Sequence, residues 1–118
     1  MEAGVVVVGF DVVFAEPDRT SPANVAKVVP GLDEATRAIL NKMPSNDSVL
    51  ADTLKRSRVV LGQSTTSQPS AAMAERKTVT SSVGVKGVKG VNPMDYVFGF
   101  IGLTRNLGEL EENASGIG

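Results

Sequence analysis

The sequence predicts an α/β protein in which a mainly parallel β-sheet is flanked by helices in three layers. Two apolar segments, residues 4–14 and the segment from Val59, are rich in β-branched residues and do not alternate with polar ones. Such a pattern is typical of parallel strands that are covered on both faces. Two segments with helical spacing lie between them. A strand, two helices and a second strand form a crossover unit, so we expect the two strands to be parallel with a right-handed connection.

The amino-acid composition excludes several classes of function. The 118 residues suit a single domain, or a fragment of one, spanning residues 1–118. The chain contains neither Cys nor His, which excludes thiol chemistry, His-ligated zinc and the Ser-His-Asp relay. A net charge of −1, with 12 basic and 13 acidic residues, argues against a nucleic-acid partner. No apolar stretch reaches the ~18 residues of a membrane-spanning helix.

The first strand and the two helices after it have clear boundaries. Pro17 ends the strand, and Pro22 marks a turn. The first predicted helix has acids in its first turn, is stopped by Pro44, and has the apolar residues Leu32, Ala35, Ile39, Leu40 and Met43. The second has Ser45 as its N-cap and an apolar face of Val49, Leu50 and Leu54.

The second half of the chain is less regular. Residues 78–90 alternate valine with polar residues, which indicates an edge strand. The alternative is an anion site formed by its Gly-Val-Lys-Gly-Val-Lys-Gly stretch with Lys86 and Lys89. The apolar, glycine-interrupted segment at 93–104 is interpreted as a loop over the core. A last helix is predicted with Asn106 and Glu109 as a capping box. Its apolar face is Leu107, Leu110 and Ala114, its C-cap is Gly116, and its solvated acids are Glu109, Glu111 and Glu112.

Asp11 is the most distinctive candidate for a catalytic or ligand-binding residue, because it is an acid within a predicted apolar strand. One hypothesis is a carboxylate nucleophile or magnesium ligand of a phosphohydrolase or phosphotransferase. Enzymes of the haloacid-dehalogenase type need a second acid two residues further on, where this chain has Val13. The alternative is a structural acid that organises the end of the sheet.

Glu16, Asp18 and Arg19 form a charged loop after the first strand. Open α/β sheets bind ligands just beyond the carboxyl ends of their strands. We therefore predict that Asp11, Glu16, Asp18 and Arg19 form a ligand site or an interface between two protomers. The alternative for the loop is a solvated segment whose charges satisfy one another.

Four motifs, taken in order, resemble the CHASE domain of the second type. That family has a strand ending F-D-x-x-F-x-E-P-D, a D-x-x-L-A helix, a V-V-L-G strand and an L-x-x-x-A-x-G-x-G helix. The matching residues are Phe10, Asp11, Phe14, Glu16, Pro17 and Asp18; Asp47, Leu50 and Ala51; Val59–Gly62; and Leu110, Ala114, Gly116 and Gly118. The family has further segments before and after these motifs, so the resemblance implies the middle part of such a sensor domain.

The resemblance implies an extracytoplasmic (periplasmic) sensory domain of a bacterial inner-membrane receptor, anchored by transmembrane helices outside this fragment. The implied output is a class III adenylate/guanylate cyclase; the alternatives are a sensor histidine kinase or a serine/threonine kinase. We expect the fragment to be non-catalytic, without cofactor or metal, and to respond to an unknown small molecule or environmental signal. A homodimer is also implied, since class III cyclases assemble their active site by dimerisation.

Overall fold

The computed structural model describes residues 4–69, 87 and 89–118, which form two compact units. One unit contains Met1–Gln63 and Arg105–Gly118, and the other contains Ser64–Thr104. The elements along the chain are β1 (Val8–Phe10), α1 (Pro22–Val28), α2 (Glu34–Lys42), α3 (Asn46–Lys55), β2 (Val59–Leu61), β3 (Ser64–Thr66), a 3-10 helix (Pro93–Tyr96), β4 (Gly102–Thr104), α4 (Gly108–Asn113) and β5 (Gly116–Ile117). The edge strand predicted for residues 78–90 lies mainly outside the described residues.

A small parallel sheet organises the first unit. Its strand order is β1-β2-β5, and both neighbouring pairs are parallel. The prediction of a mixed α/β protein with a mainly parallel sheet is confirmed, including the parallel pairing of the first strand with the segment from Val59. In the second unit, β3 and β4 form an antiparallel pair.

The prediction for the first strand is wrong in length and in position. The ladder covers only Val8–Phe10, which pairs with Val59–Leu61. β2 occupies the centre of the sheet and leaves β1 at an edge. Val6 and Val7 are therefore 69% and 53% exposed, although their β-branched side chains suit a covered strand.

Helices α2 and α3 confirm the predicted boundaries. The Asp33 side chain caps α2 by accepting a hydrogen bond from the backbone N–H of Thr36. Ser45 caps α3 through the N–H of Ser48. The predicted apolar face of α3 is partly wrong: Val49, which was expected on that face, is half exposed, and Ala51 is buried instead.

Helix α1 was not predicted, although its start carries a recognisable signal. Ser21 precedes the helix, and Pro22 lies at its first position, where a missing N–H costs nothing. Ser21 is itself buried, and its hydroxyl accepts a hydrogen bond of 3.0 Å from the N–H of Asn46. The turn expected at Pro22 is thus the beginning of a helix that is bonded to the start of α3.

The core of this unit lies between the sheet and the helices α3 and α4. Its buried members are Ala51, Leu54, Val59, Leu61 and Leu110, with Phe10, Phe14, Leu50, Leu107 and Ala114 packed against them. Burying a side chain of leucine size contributes roughly 1.5–3 kcal/mol. The central strand β2 thus directs two of its three side chains into the core.

The C-terminal segment differs from its prediction in three respects. Helix α4 starts at Gly108 with Leu107 as its N-cap, so Asn106 and Glu109 form no capping box. Ala114 is the C-cap, and Gly116 starts β5. The expected apolar face is confirmed, because Leu110 is fully buried and Leu107 and Ala114 pack on the core.

The second unit exposes the aromatic residues of its apolar, glycine-interrupted segment. Tyr96, Phe98 and Phe100 are 78%, 88% and 58% exposed. Gly99 lies between Phe98 and Phe100 and interrupts the run of apolar side chains.

Candidate functional site

A cleft lies beyond the carboxyl ends of the parallel strands, at the edge where open α/β sheets bind ligands. Its volume is about 290 Å³. It is lined by Gly9, Phe10, Asp11, Val60, Leu61, Gly62 and Gly118. Among the lining residues that the structure describes, Asp11 alone carries an ionisable side chain.

Asp11 directly follows β1 and is exposed. Within the part of the chain that the structure describes, its carboxylate forms no hydrogen bond or ion pair. The acid therefore does not organise the sheet by accepting backbone hydrogen bonds there. It presents a carboxylate that can accept hydrogen bonds from a ligand and can attract a cation.

Gly62 shapes the floor of this cleft by letting two strands approach each other closely. Its N–H donates a hydrogen bond of 2.8 Å to the carbonyl of Phe10. A Cβ atom at this position would stand 2.8 Å from that same carbonyl oxygen. Only glycine fits without a shift of backbone, which gives the last residue of the V-V-L-G motif a steric role.

Asp18 has a structural role. Its carboxylate accepts hydrogen bonds of 2.7 Å from both the N–H and the hydroxyl of Thr20, and one of 2.6 Å from the amide of Asn46. These bonds, above all the one from the Thr20 N–H, lower the pKa of Asp18 below its ordinary value. The backbone N–H of Asp18 donates in turn to Asp47 at 3.0 Å. The acid thus fastens the loop after β1 to the start of α3.

Glu16 and Arg19 are brought together in an ion pair with a distance of 2.8 Å. Their side chains are 72% and 86% exposed, so the pair contributes little to stability. A groove of about 530 Å³ lies beside them. Its lining residues are Glu16, Pro17, Arg19, Asn24, Lys27 and Val28.

The four predicted site residues therefore do not form one constellation. Asp11 lines the cleft at the strand ends, whereas Glu16 and Arg19 line the groove beside α1. Glu16 and Asp18 share a third depression of about 300 Å³ with Phe14, Asn46, Asp47 and Leu50. Of the four, Asp11 is the acid whose carboxylate is left for a ligand.

Sequence reasoning missed a buried polar cluster at the start of α4. Arg105 and Glu111 form an ion pair of 2.6 Å, with both side chains 5% exposed. Glu111 also accepts a hydrogen bond of 3.1 Å from the N–H of Asn106. The prediction that Glu111 belongs to a solvated helix face is thus wrong. The sequence signal for the pair was weak, because Glu109 and Glu112 lie near Glu111 and the three acids together resemble an exposed charged helix face.

Two further properties of the described residues bear on function. No group of three or more Asp and Glu side chains is arranged to hold a metal ion in that part of the chain. Likewise, none of the helices in the described ranges is long and apolar enough to cross a membrane.

Comparison of the chain with models of known protein families, with curated proteins and with solved structures finds no match. The fold and the site define a small α/β protein that has a parallel sheet and a cleft lined by the carboxylate of Asp11 at the carboxyl ends of its strands.

Proposed function

We propose that this chain is part of the extracytoplasmic sensory domain of a bacterial membrane receptor, similar to the CHASE domain of the second type. The proposed receptor carries a cytoplasmic adenylate/guanylate cyclase, whose cyclic-nucleotide synthesis the domain regulates. The alternative outputs are a histidine kinase or a serine/threonine kinase. The domain itself has no catalytic role in this proposal and acts by binding.

One observation carries the proposal: the four motifs of the resemblance meet in a single folded unit. The Asp18 N–H of the first motif donates to the Asp47 carboxylate of the second. Phe10, Ala51, Leu61 and Leu110, one from each motif, belong to or pack against the same core. Residues that match a family pattern and are far apart in sequence are thus neighbours in space.

The proposed ligand site is the cleft at the strand ends, with Asp11 as the residue that contacts the signal molecule. Backbone groups of Gly9, Gly62 and Gly118 leave room for a small ligand beside it. In the proposed complete domain, further helices cover the sheet face that carries Val60. This face is the one opposite to the core, so covering it would give the three-layer arrangement.

Thermal unfolding in the presence of small polar molecules tests the binding function. A ligand should raise the melting temperature progressively as its concentration exceeds its dissociation constant. Asp11→Asn should reduce the shift by at least about half, whereas Asp52→Asn, which removes an exposed acid on α3, should leave it unchanged. A hit whose shift is equal in both variants would contradict the role of Asp11.

The coding sequence on either side of this chain tests the receptor class. We expect flanking segments that encode membrane-spanning helices and a downstream cyclase or kinase domain. A complete cytosolic reading frame of 118 residues would overturn the sensor proposal.

A further inference from the structure

β1 is an edge strand of the sheet, and its outer edge is unpaired in the described part of the chain. The N–H of Val8 donates to Arg58, and the carbonyl of Phe10 accepts from Gly62. In a parallel ladder one residue directs both its N–H and its C=O to the same neighbour, and the next residue directs them away. Val7 and Gly9 therefore present their backbone donors and acceptors along the free edge.

Two of the usual protections against pairing are missing from this edge, although the ladder of β1 is short. Exposed strands in natural proteins are blunted by charged side chains or by proline. The segment Val5–Phe10 contains neither, and its four valines are 46%, 69%, 53% and 37% exposed. A neutral apolar edge with free backbone groups is a template for another strand.

We propose that two copies of this chain pair antiparallel along the outer edges of their β1 strands, with Val7 on the two-fold axis. Each copy then contributes Val5, Val7 and Gly9, and Val5 of one copy lies opposite Gly9 of the other. The two three-stranded sheets become one continuous sheet of six strands.

Three features favour a second copy as the occupant. An antiparallel edge is self-complementary under a two-fold axis, because Val7 exchanges its hydrogen bonds with Val7 of the other copy and Val5 of each copy exchanges them with Gly9 of the other. The paired stretch is neutral, so no like charges face each other. It also ends at suitable points: Gly4 has a φ of 72°, which turns the chain before Val5, and Asp11 lies outside the paired residues.

The expected dimer is weak and reversible. Five residues per strand bury less than the roughly 1,000 Å² of a stable interface. We therefore expect a dissociation constant between about 1 µM and 1 mM. The proposal does not depend on the sensory function, since it rests on the strand edge alone.

Sedimentation velocity over a range of concentrations tests the association. The wild-type chain should show a rising dimer fraction, and Val7→Lys should weaken the dimer at least about tenfold by placing two ammonium groups opposite each other. Val28→Lys is the matched control, because Val28 is 75% exposed on α1 and lies outside the proposed interface. A wild-type chain that stays monomeric at about 1 mM, or equal loss in both variants, would overturn the proposal.

Cysteine cross-linking tests the register. The chain contains no Cys, so a single introduced thiol can react only with its copy. Directly opposed residues of this kind have Cα atoms about 5.5 Å apart, which a disulfide can span. Val7→Cys should cross-link under mild oxidation much faster than Val28→Cys, and equal rates would contradict pairing about Val7.

Discussion

The side-chain oxygen of Asn106 accepts a hydrogen bond of 2.7 Å from the backbone N–H of Phe14, which lies 92 residues earlier in the chain. The amide of the same side chain donates to the carbonyl of Gly62 at 2.9 Å. The next residue, Leu107, donates its N–H to the Phe14 carbonyl at 2.7 Å. Asn106 thus joins the segments that follow β1 and β2 to the start of α4.

Removal of the Asn106 amide should destabilise the protein. Asn106→Ala leaves the Phe14 N–H and the Gly62 carbonyl without this partner in a partly buried place, where each such loss costs roughly 1–3 kcal/mol. We therefore expect the free energy of unfolding to fall by about 2–4 kcal/mol in urea titrations. Asn113→Ala, which removes a local bond on exposed surface, should change it by less than about 0.5 kcal/mol. Equal effects of the two substitutions would refute a bridging role for Asn106.

The buried pair of Arg105 and Glu111 should respond very differently to single and double substitution. Glu111→Leu removes the carboxylate that pairs with the buried guanidinium of Arg105, and breaking such a pair costs about 3–5 kcal/mol. Replacing both, as Arg105→Met with Glu111→Leu, removes the uncompensated charge. The double variant should recover at least about half of that loss, although the Asn106 N–H still loses an acceptor. Additive losses in a double-mutant cycle, measured by urea unfolding, would show that the two residues are not coupled.

A side chain should destabilise the protein at Gly62 but not at Gly9, although both glycines line the same cleft. A Cβ at Gly62 would meet the Phe10 carbonyl oxygen at 2.8 Å, while one at Gly9 would meet no atom within 4 Å. Gly62→Ala must shift the backbone of two paired strands, so we expect a loss of about 1–3 kcal/mol in the free energy of unfolding. Gly9→Ala should change it by less than about 1 kcal/mol. The prediction fails if both variants unfold at the same urea concentration.

Stability should fall in mildly acidic solution because of Asp18 and Asp33. The hydrogen bonds from Thr20 and from Thr36 lower the pKa of these two carboxyls below the ordinary value of 3.8. A group with a lowered pKa in the folded state stabilises the protein above its ordinary pKa, and this contribution is lost as the pH falls through the lowered value. The free energy of unfolding should therefore decline as the pH drops from about 5 to below 3.8.

Substitutions distinguish the contribution of Asp18 and Asp33 to this pH dependence from that of the other carboxylates. Asp18→Asn and Asp33→Asn should each make the decline between these pH values shallower than in the wild-type chain. Glu112→Gln, at an exposed position on α4, is the control and should leave the slope unchanged. Urea titrations at a series of pH values measure the slope, and identical profiles for all four proteins would contradict the assignment.

The local features of this protein could be predicted from its sequence. The caps at Asp33 and Ser45, the stop at Pro44 and the strand from Val59 all depend on residues that lie next to one another. Hydrogen bonds within one turn and the absence of an N–H in proline act over a few positions, so a linear pattern contains them. The parallel pairing also followed, because helices between two neighbouring strands favour a crossover connection, and this holds for the two predicted helices as for the three observed, α1–α3.

Partners far apart in sequence were decided only by the tertiary structure. The valines before β1 indicate a covered strand, but only Val8–Phe10 pair with β2, which lies about 50 residues further along the chain. By its local sequence Asn106 suits a helix cap, but its side chain bonds to Phe14 and Gly62. Glu111 suits a solvated helix face, but it forms a buried ion pair with Arg105. The same holds for the site: the sequence singled out four charged residues, and the fold left Asp11 in the cleft while it bound Asp18 to α3. Local chemistry determines which elements form, whereas packing determines which polar groups remain for a ligand.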